Sequence, residues 1–208
     1  MKEILKLGLA MIVVTFFAGF VLDYVYRTTK PRIDMIKAAE EEKARIDVMP
    51  DADAFRELLL DPDAGATKII DGVAENLYWA AEKNGDLIGY VIKVYCYGYD
   101  ASPIVVMLGL RQDAAVEGIK VIAQAETPGL GARCQETEKR DGVPVVWFAE
   151  QYKDLSAGTI DVVKKTVGDG ENSISAITGA TVTSKAITDG INKAALLLFS
   201  SFEGGGDR

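Results

Sequence analysis

Ser173-Ile174-Ser175-Ala176-Ile177-Thr178-Gly179-Ala180-Thr181-Val182-Thr183-Ser184 packs small and hydroxyl-bearing residues immediately ahead of a segment with helical periodicity. Ile187, Ile191, Ala194, Ala195 and Leu198 recur at steps of three and four, the mark of one apolar helix face, and they predict a helix start near Thr183 or Ser184. A helix start leaves backbone N–H groups without intrahelical partners and carries the positive end of the dipole. An anion is therefore stabilised there without any basic side chain. Gly179 and Ala180 let a ligand approach the backbone, and Thr181 puts a hydroxyl where a phosphate group would sit. That hydroxyl can hydrogen-bond or be esterified. On these residues alone two readings stand: Thr181, Thr183 or Ser184 caps the helix, or Thr181 serves a phosphate.

Upstream, the periodicity is that of strands. Residues 78–82 and 87–97 are rich in apolar side chains and are separated by Asn84-Gly85-Asp86, a strong hairpin signal. Residues 104–110 are apolar almost throughout, as for a strand buried on both faces. A turn at Arg111-Gln112-Asp113 leads to a further strand over 116–125. One antiparallel sheet is expected. Tyr90, Tyr95, Tyr97 and Tyr99 admit a stacking surface for a flat ring, but aromatic residues are also good strand formers, and none of them is singled out. Glu126-Thr127-Pro128-Gly129-Leu130-Gly131 ends the sheet, with Pro128 and Gly129 suited to positions i+1 and i+2 of a type II turn. Trp147, Phe148 and Tyr152 read as core packing, and residues 158–169 as a short strand and turn.

The chain has 208 residues, 49% hydrophobic and 26% charged, enough for one folded domain and something extra. Its formal charge of -8 argues against a nucleic-acid partner, since no basic surface is available to neutralise phosphates. Histidine is absent and the cysteines are Cys96 and Cys134, which argues against haem held by His, a Cys₄ iron–sulfur cluster or a His-rich zinc site. Redox chemistry in this chain then requires an organic cofactor. The two thiols are expected to be free and buried, with a disulfide as the alternative in an oxidising compartment.

At the N-terminus, Lys2 and Lys6 precede an uncharged stretch over residues 7–22, extended by Ile4, Leu5, Tyr24, Val25 and Tyr26 towards the ~20 residues of a spanning helix. The aromatics suit a membrane interface. Phe20-Val21-Leu22-Asp23-Tyr24 offers no small-residue cleavage site, so a retained anchor is favoured over a signal peptide. Pro31 is expected to interrupt the pattern before a polar helix over 34–46, and a second short helix is expected over 53–60, with Phe55, Leu58 and Leu59 inward. The boundaries expected are an anchor over 1–30, linker helices over 31–62, a folded domain over 63–200 and a disordered glycine-rich tail over 201–208.

Thr178-Gly179-Ala180-Thr181-Val182-Thr183-Ser184 resembles the Ser/Thr-Gly-Ala-Thr attachment motif of the FMN-binding domain family, found in the G subunit of the Rnf electron-transport complex and the C subunit of the sodium-pumping NADH:quinone reductase. Glu126 to Gly131 matches the second motif of that family, and the likeness runs from the anchor to the last helix. One departure is Ser175, where the family usually has an acidic residue three positions ahead of the tetrad.

The resemblance implies an α+β fold: a single transmembrane helix, then a soluble extracytoplasmic domain with an antiparallel sheet and flanking helices. It implies FMN joined to Thr181 through a phosphoester, with Thr178, Gly179, Ala180, Val182 and Ser184 around the attachment. Glu126, Thr127 and Leu130 would face the flavin ring. Trp147-Phe148 and Tyr152 resemble the aromatics between the family's two motifs. The implied role is an electron relay with no catalytic residue or metal ligand of its own, in an Rnf-type complex that couples ferredoxin:NAD oxidoreduction to sodium or proton transport. The implied partners are the membrane, the integral-membrane and iron–sulfur subunits of that complex, and a flavin transferase that installs FMN from FAD with Mg²⁺. The alternatives are a C-type subunit of the quinone reductase, a stand-alone FMN-binding reductase, and a non-redox membrane-anchored assembly module whose tetrad only caps a helix.

Overall fold

The computed structural model describes residues 2–58, 77–140, 142–164, 167 and 171–203. The chain divides into two compact units, Met1–Glu42 and Lys43–Arg208. One helix, α1 (Lys2–Val48), contributes to both.

Within the first unit, Phe16, Phe17, Phe20 and Leu22 are all exposed. This stretch is long and apolar enough to cross a membrane, with a mean hydropathy of 2.0. The expected break at Pro31 is absent: α1 runs straight through it. Proline removes one intrahelical bond and costs about 3 kcal/mol in a helix interior, so the flanks must outweigh it. Ion pairs Asp23–Arg27 (2.8 Å) and Lys30–Asp34 (3.4 Å) bracket the site, and the Ala-, Glu- and Lys-rich residues 37–44 have high helix propensity.

The second unit is built on a five-stranded antiparallel meander, β1 (Ala54–Leu58), β2 (Leu77–Lys83), β3 (Asp86–Cys96), β4 (Ile104–Arg111) and β5 (Val116–Ala123), in that spatial order. The expected hairpin is β2–β3, its turn made by Asn84 (φ 53°) and Gly85 (φ 89°), the positive pair a type I′ turn requires. The helix expected over 53–60 is instead β1, residues 59–76 lying outside the described set. A run this short is a poor helix nucleus, whereas the free edge of β2 supplies backbone partners from Ala54↔Glu82 to Leu58↔Tyr78. Arg56 and Glu82 add a cross-strand ion pair at 3.0 Å.

Every β4 residue from Ile104 to Leu110 is buried, as its unbroken apolar run predicts. One face of the sheet presents Ile92, Val94, Val106 and Leu108 to helix α3 (Thr181–Glu203), which answers with Ile187, Ile191, Ala194 and Leu198. The other face packs Trp79, Val91 and Met107 against Ala44, Val48 and Met49.

Between sheet and α3 come a 3₁₀ turn (Gly131–Gln135), the hairpin β6 (Thr137–Arg140) and β7 (Val143–Val146), a one-turn helix α2 (Trp147–Glu150), and a parallel pair β8 (Asp161–Val163) and β9 (Ser173–Ser175). Phe148 and Tyr152 are fully buried, and the Tyr152 hydroxyl lies 2.7 Å from Thr188 Oγ1 on α3. Cys96 and Cys134 are free and buried, as expected. Burial pushes their thiols up, to about 12 and about 11. Helix α3 continues through Glu203, into the stretch expected to be a disordered tail; residues 204–208 lie outside the described set.

Candidate functional site

Three short segments converge in front of the first turn of α3. The first is the stretch between β9 and the helix. Ile177 is buried, Thr178 and Gly179 turn outward with Gly179 at φ 80°, and Ala180 N donates to Ile177 O at 2.9 Å. The helix starts at Thr181, earlier than the apolar periodicity indicates, because the periodic face has no marker residue before Ile187. Its first helical bond is Ser184 N to Ala180 O, at 3.1 Å. Among the described residues no backbone acceptor takes the N–H groups of Thr181, Val182 and Thr183, which is the donor set an anion needs.

The hydroxyls of this turn have divided the work. Ser184 Oγ, fully buried, accepts Ile177 N at 2.9 Å and donates to Ala180 O at 3.1 Å, tying the incoming loop to the helix. Thr183 Oγ1 donates to Glu126 Oε2 at 2.7 Å. Thr181 is half-buried and faces the cleft, and its hydroxyl has no hydrogen bond to another described residue. Two of the three candidate caps are thus engaged inside the protein, and the third is available.

The second segment is the turn after β5. Leu130 N donates to Thr127 O at 3.1 Å with Gly129 at φ 76°, the type II turn that Pro128-Gly129 predicts. The third is the stretch after β3, where Tyr99 stands 80% exposed. Glu126 joins all three segments. The residue is 4% exposed; Oε1 accepts the backbone N–H groups of Tyr99 (2.9 Å) and Asp100 (3.1 Å), and Oε2 accepts from Thr183 Oγ1. The close fit requires residues without side chains on both flanks. A Cβ on Gly98 would lie 2.4 Å from Oε1, and one on Gly131 would lie 2.4 Å from Oε2 and 2.6 Å from Thr183 Oγ1.

These segments enclose a cleft of about 490 Å³ lined by Tyr99, Glu126, Thr127, Leu130, Gly131, Gly179, Ala180, Thr181, Val182 and Thr183. Of the residues singled out in the sequence, Glu126, Thr127, Leu130, Gly179, Ala180, Thr181 and Val182 come together here. Thr178 sits exposed outside the lining, and Ser184 lies buried behind it. Glu126 borders the cleft, yet its oxygens are committed to three protein donors. Of the other lining residues, Tyr99 is not placed at the site by the sequence, Gly131 reads there only as the end of the second motif and Thr183 only as a candidate cap. Tyr99 is hidden among the neighbouring tyrosines, and a preceding glycine does not set it apart, since Tyr90 follows Gly89.

Among the described lining residues none is basic, so a phosphate seated here would be held by helix N–H groups and the dipole. Leu130 (44% exposed), Val182 (56%) and Tyr99 supply an apolar flank beside that polar end. A polar phosphate end, a flat apolar flank and this volume fit a flavin mononucleotide.

Comparison with known proteins agrees with that fit. The FMN-binding domain family model matches residues 98–196, a span that holds every residue lining the cleft. The fold resembles that of the C subunit of the Na(+)-translocating NADH-quinone reductase from Parabacteroides distasonis, known from a crystal structure, with a TM-score of 0.56 at 19% identity over 82% of this chain and 96% of that one. Fold and cleft define the class, an FMN-binding domain joined to a long N-terminal helix.

The relatives then narrow the class. The chain is 33% identical over 195 residues to the G subunit of the Na(+)-translocating ferredoxin:NAD(+) oxidoreductase complex of Acetobacterium woodii, covering 92% of this chain and 89% of the relative. It is 30% identical to the G subunit of the proton-translocating complex of Clostridium ljungdahlii, over 91% and 88%. It is 27% identical to the G subunit of the ion-translocating oxidoreductase complex of Methanosarcina acetivorans, over 93% of each. The chain belongs to the family of G subunits of ion-translocating oxidoreductase complexes.

Proposed function

We propose that this protein is the electron-carrying G subunit of a membrane-bound Rnf-type ferredoxin:NAD oxidoreductase coupled to ion transport, and that its FMN is esterified to Thr181. The observation that carries the attachment site is the division of labour among hydroxyls: Thr183 and Ser184 are bonded within the protein, whereas Thr181 faces the cleft with its oxygen free among the described residues. Bound FMN supplies one- and two-electron chemistry. The chain's own residues supply position and shielding. The N–H groups of Thr181, Val182 and Thr183 offset phosphate charge, and Leu130, Val182 and Tyr99 keep water from the apolar flank. No lining residue is poised as an acid or base towards a second substrate, since the Glu126 carboxylate is engaged inside the protein.

In this reading electrons enter and leave through neighbouring subunits of the complex, and a flavin transferase forms the phosphoester. Residues 1–30 anchor the chain in the cytoplasmic membrane and the folded domain faces away from the cytoplasm. The fold likeness to the C subunit of the quinone reductase keeps that complex as the second reading. Intact mass of the chain co-expressed with a flavin transferase tests the attachment: a flavin increment present in the wild type and in Thr178→Ala, and lost in Thr181→Ala, is expected. The bare polypeptide mass in native material would overturn it.

A further inference from the structure

Tyr99 combines an exposed residue surface with an anchored backbone. The residue is 80% exposed, yet its backbone N–H is held at 2.9 Å by the carboxylate of Glu126, a residue only 4% exposed. The next residue, Asp100, donates to the same oxygen at 3.1 Å. The chain therefore fixes the backbone from which an uncovered ring projects. The fixation is built in: Gly98 and Gly131 leave the space that the carboxylate occupies, and the carboxylate's other oxygen is held by Thr183 in the first turn of α3. One buried side chain thus spans the cleft's two walls, the Tyr99 segment and the helix start. An uncovered aromatic ring on an anchored backbone, beside exposed Leu130 and Val182, is a platform for a flat ligand, and Tyr99 is the one aromatic among the described lining residues.

We infer that Tyr99 is the aromatic face on which the flavin ring rests, and that Glu126 is a positioning residue that holds this face at a set distance from the phosphate seat. The inference rests on the FMN reading of the cleft, though not on the covalent bond. It reverses the expected role of Glu126, from a group aimed at the flavin to one acting through Tyr99 and Thr183.

Contact has a spectroscopic signature distinct from electron-transfer activity. A phenol in contact with a photoexcited flavin gives up an electron and recovers it on charge recombination, so emission is quenched with no net oxidation. The full-length chain in detergent, with attachment verified by intact mass for each variant, should show weak flavin fluorescence. Tyr99→Phe, which keeps the ring but is a poor donor, should raise the emission several-fold, and Tyr99→Trp should restore quenching. Glu126→Ala should raise the emission with the flavin still attached. Glu126→Gln should stay quenched, because its amide oxygen can still accept from Tyr99 and Asp100 while its NH₂ turns to the Thr183 oxygen.

Emission of Tyr99→Phe equal to wild type would overturn the ring contact. A quenched Glu126→Ala beside a bright Tyr99→Phe would overturn the positioning role. Should Glu126→Ala fail to fold, Thr183→Val severs one arm of the same brace and is expected to brighten the flavin; unchanged emission counts against it. If the wild type carries no flavin mass, the covalent reading fails by itself. The same comparison is then made with FMN added from solution, where loss of quenching in Tyr99→Phe still supports the contact and its persistence still overturns it.

Discussion

Glu126 and Thr183, 57 residues apart in sequence, meet in a buried hydrogen bond of 2.7 Å that joins the end of the sheet to the start of the last helix. Both residues are almost fully buried, at 4% and 1% exposure. A charged acceptor in such a place is stable only while its donors are present. Thr183→Val removes one of them while nearly preserving volume, and leaving the oxygen unsatisfied should cost about 1–3 kcal/mol. The expected readout is a lower denaturant midpoint at unchanged slope. An unchanged midpoint would mean that water or another group replaces the hydroxyl at no cost.

Attachment at Thr181 should follow the hydroxyl and not the side-chain shape. Thr181→Ser keeps an oxygen facing the cleft and is expected to retain covalent flavin, visible as in-gel fluorescence after denaturation; Thr181→Val is expected to lose it. Both substitutions sit in the first turn and leave the buried bonds of Thr183 and Ser184 intact. Either should therefore change stability by less than about 1 kcal/mol. Fluorescence persisting in Thr181→Val would assign the bond to another oxygen.

The buried thiols set an upper pH limit. Burial raises Cys96 from 9.0 to about 12 and Cys134 from 9.0 to about 11, so between those values the folded chain keeps protons that the unfolded chain has lost. Stability is then fully present below pH 9 and falls as pH rises above it. Denaturant midpoints are expected to decline from pH 9 towards pH 11, and Cys96→Ala should flatten part of that decline. Thiol-specific alkylation should be slow until the domain unfolds, since both cysteines are buried. Rapid labelling of the folded chain at pH 8 would contradict the burial.

What the sequence revealed follows from the range of the forces involved. The β2–β3 hairpin, the type II turn at Pro128-Gly129 and the doubly buried β4 are written in adjacent residues, and each stands where it was read. Segment 54–58 misled because Phe55 and Leu58 suit either a helix face or an edge strand, and the deciding partner, β2, lies about twenty residues away. Pro31 misled because a local helix breaker was outweighed by its flanks. At the cleft, the motif residues were legible but their roles were not. That Thr183 and Ser184 are bonded inward while Thr181 has no bond to another described residue depends on Glu126 and Ile177, and only the folded chain brings those together.

The boundary between anchor and domain yields the last prediction. Ala44, Val48 and Met49 are 0%, 2% and 3% exposed and pack with Trp79, Val91 and Met107, so the folded unit begins well before the position expected from sequence, residue 63. β1 likewise completes the sheet edge ahead of that position. A chain beginning at residue 31 keeps all of these groups and should fold cooperatively and accept flavin. One beginning at residue 50 loses the burial of Val48 and Met49, worth about 1.5–3 kcal/mol each, and uncovers one face of β4. It is expected to melt at a markedly lower temperature and to bind a dye that senses exposed apolar surface. Equal melting temperatures for the two truncations would show that the end of α1 contributes nothing to the second core.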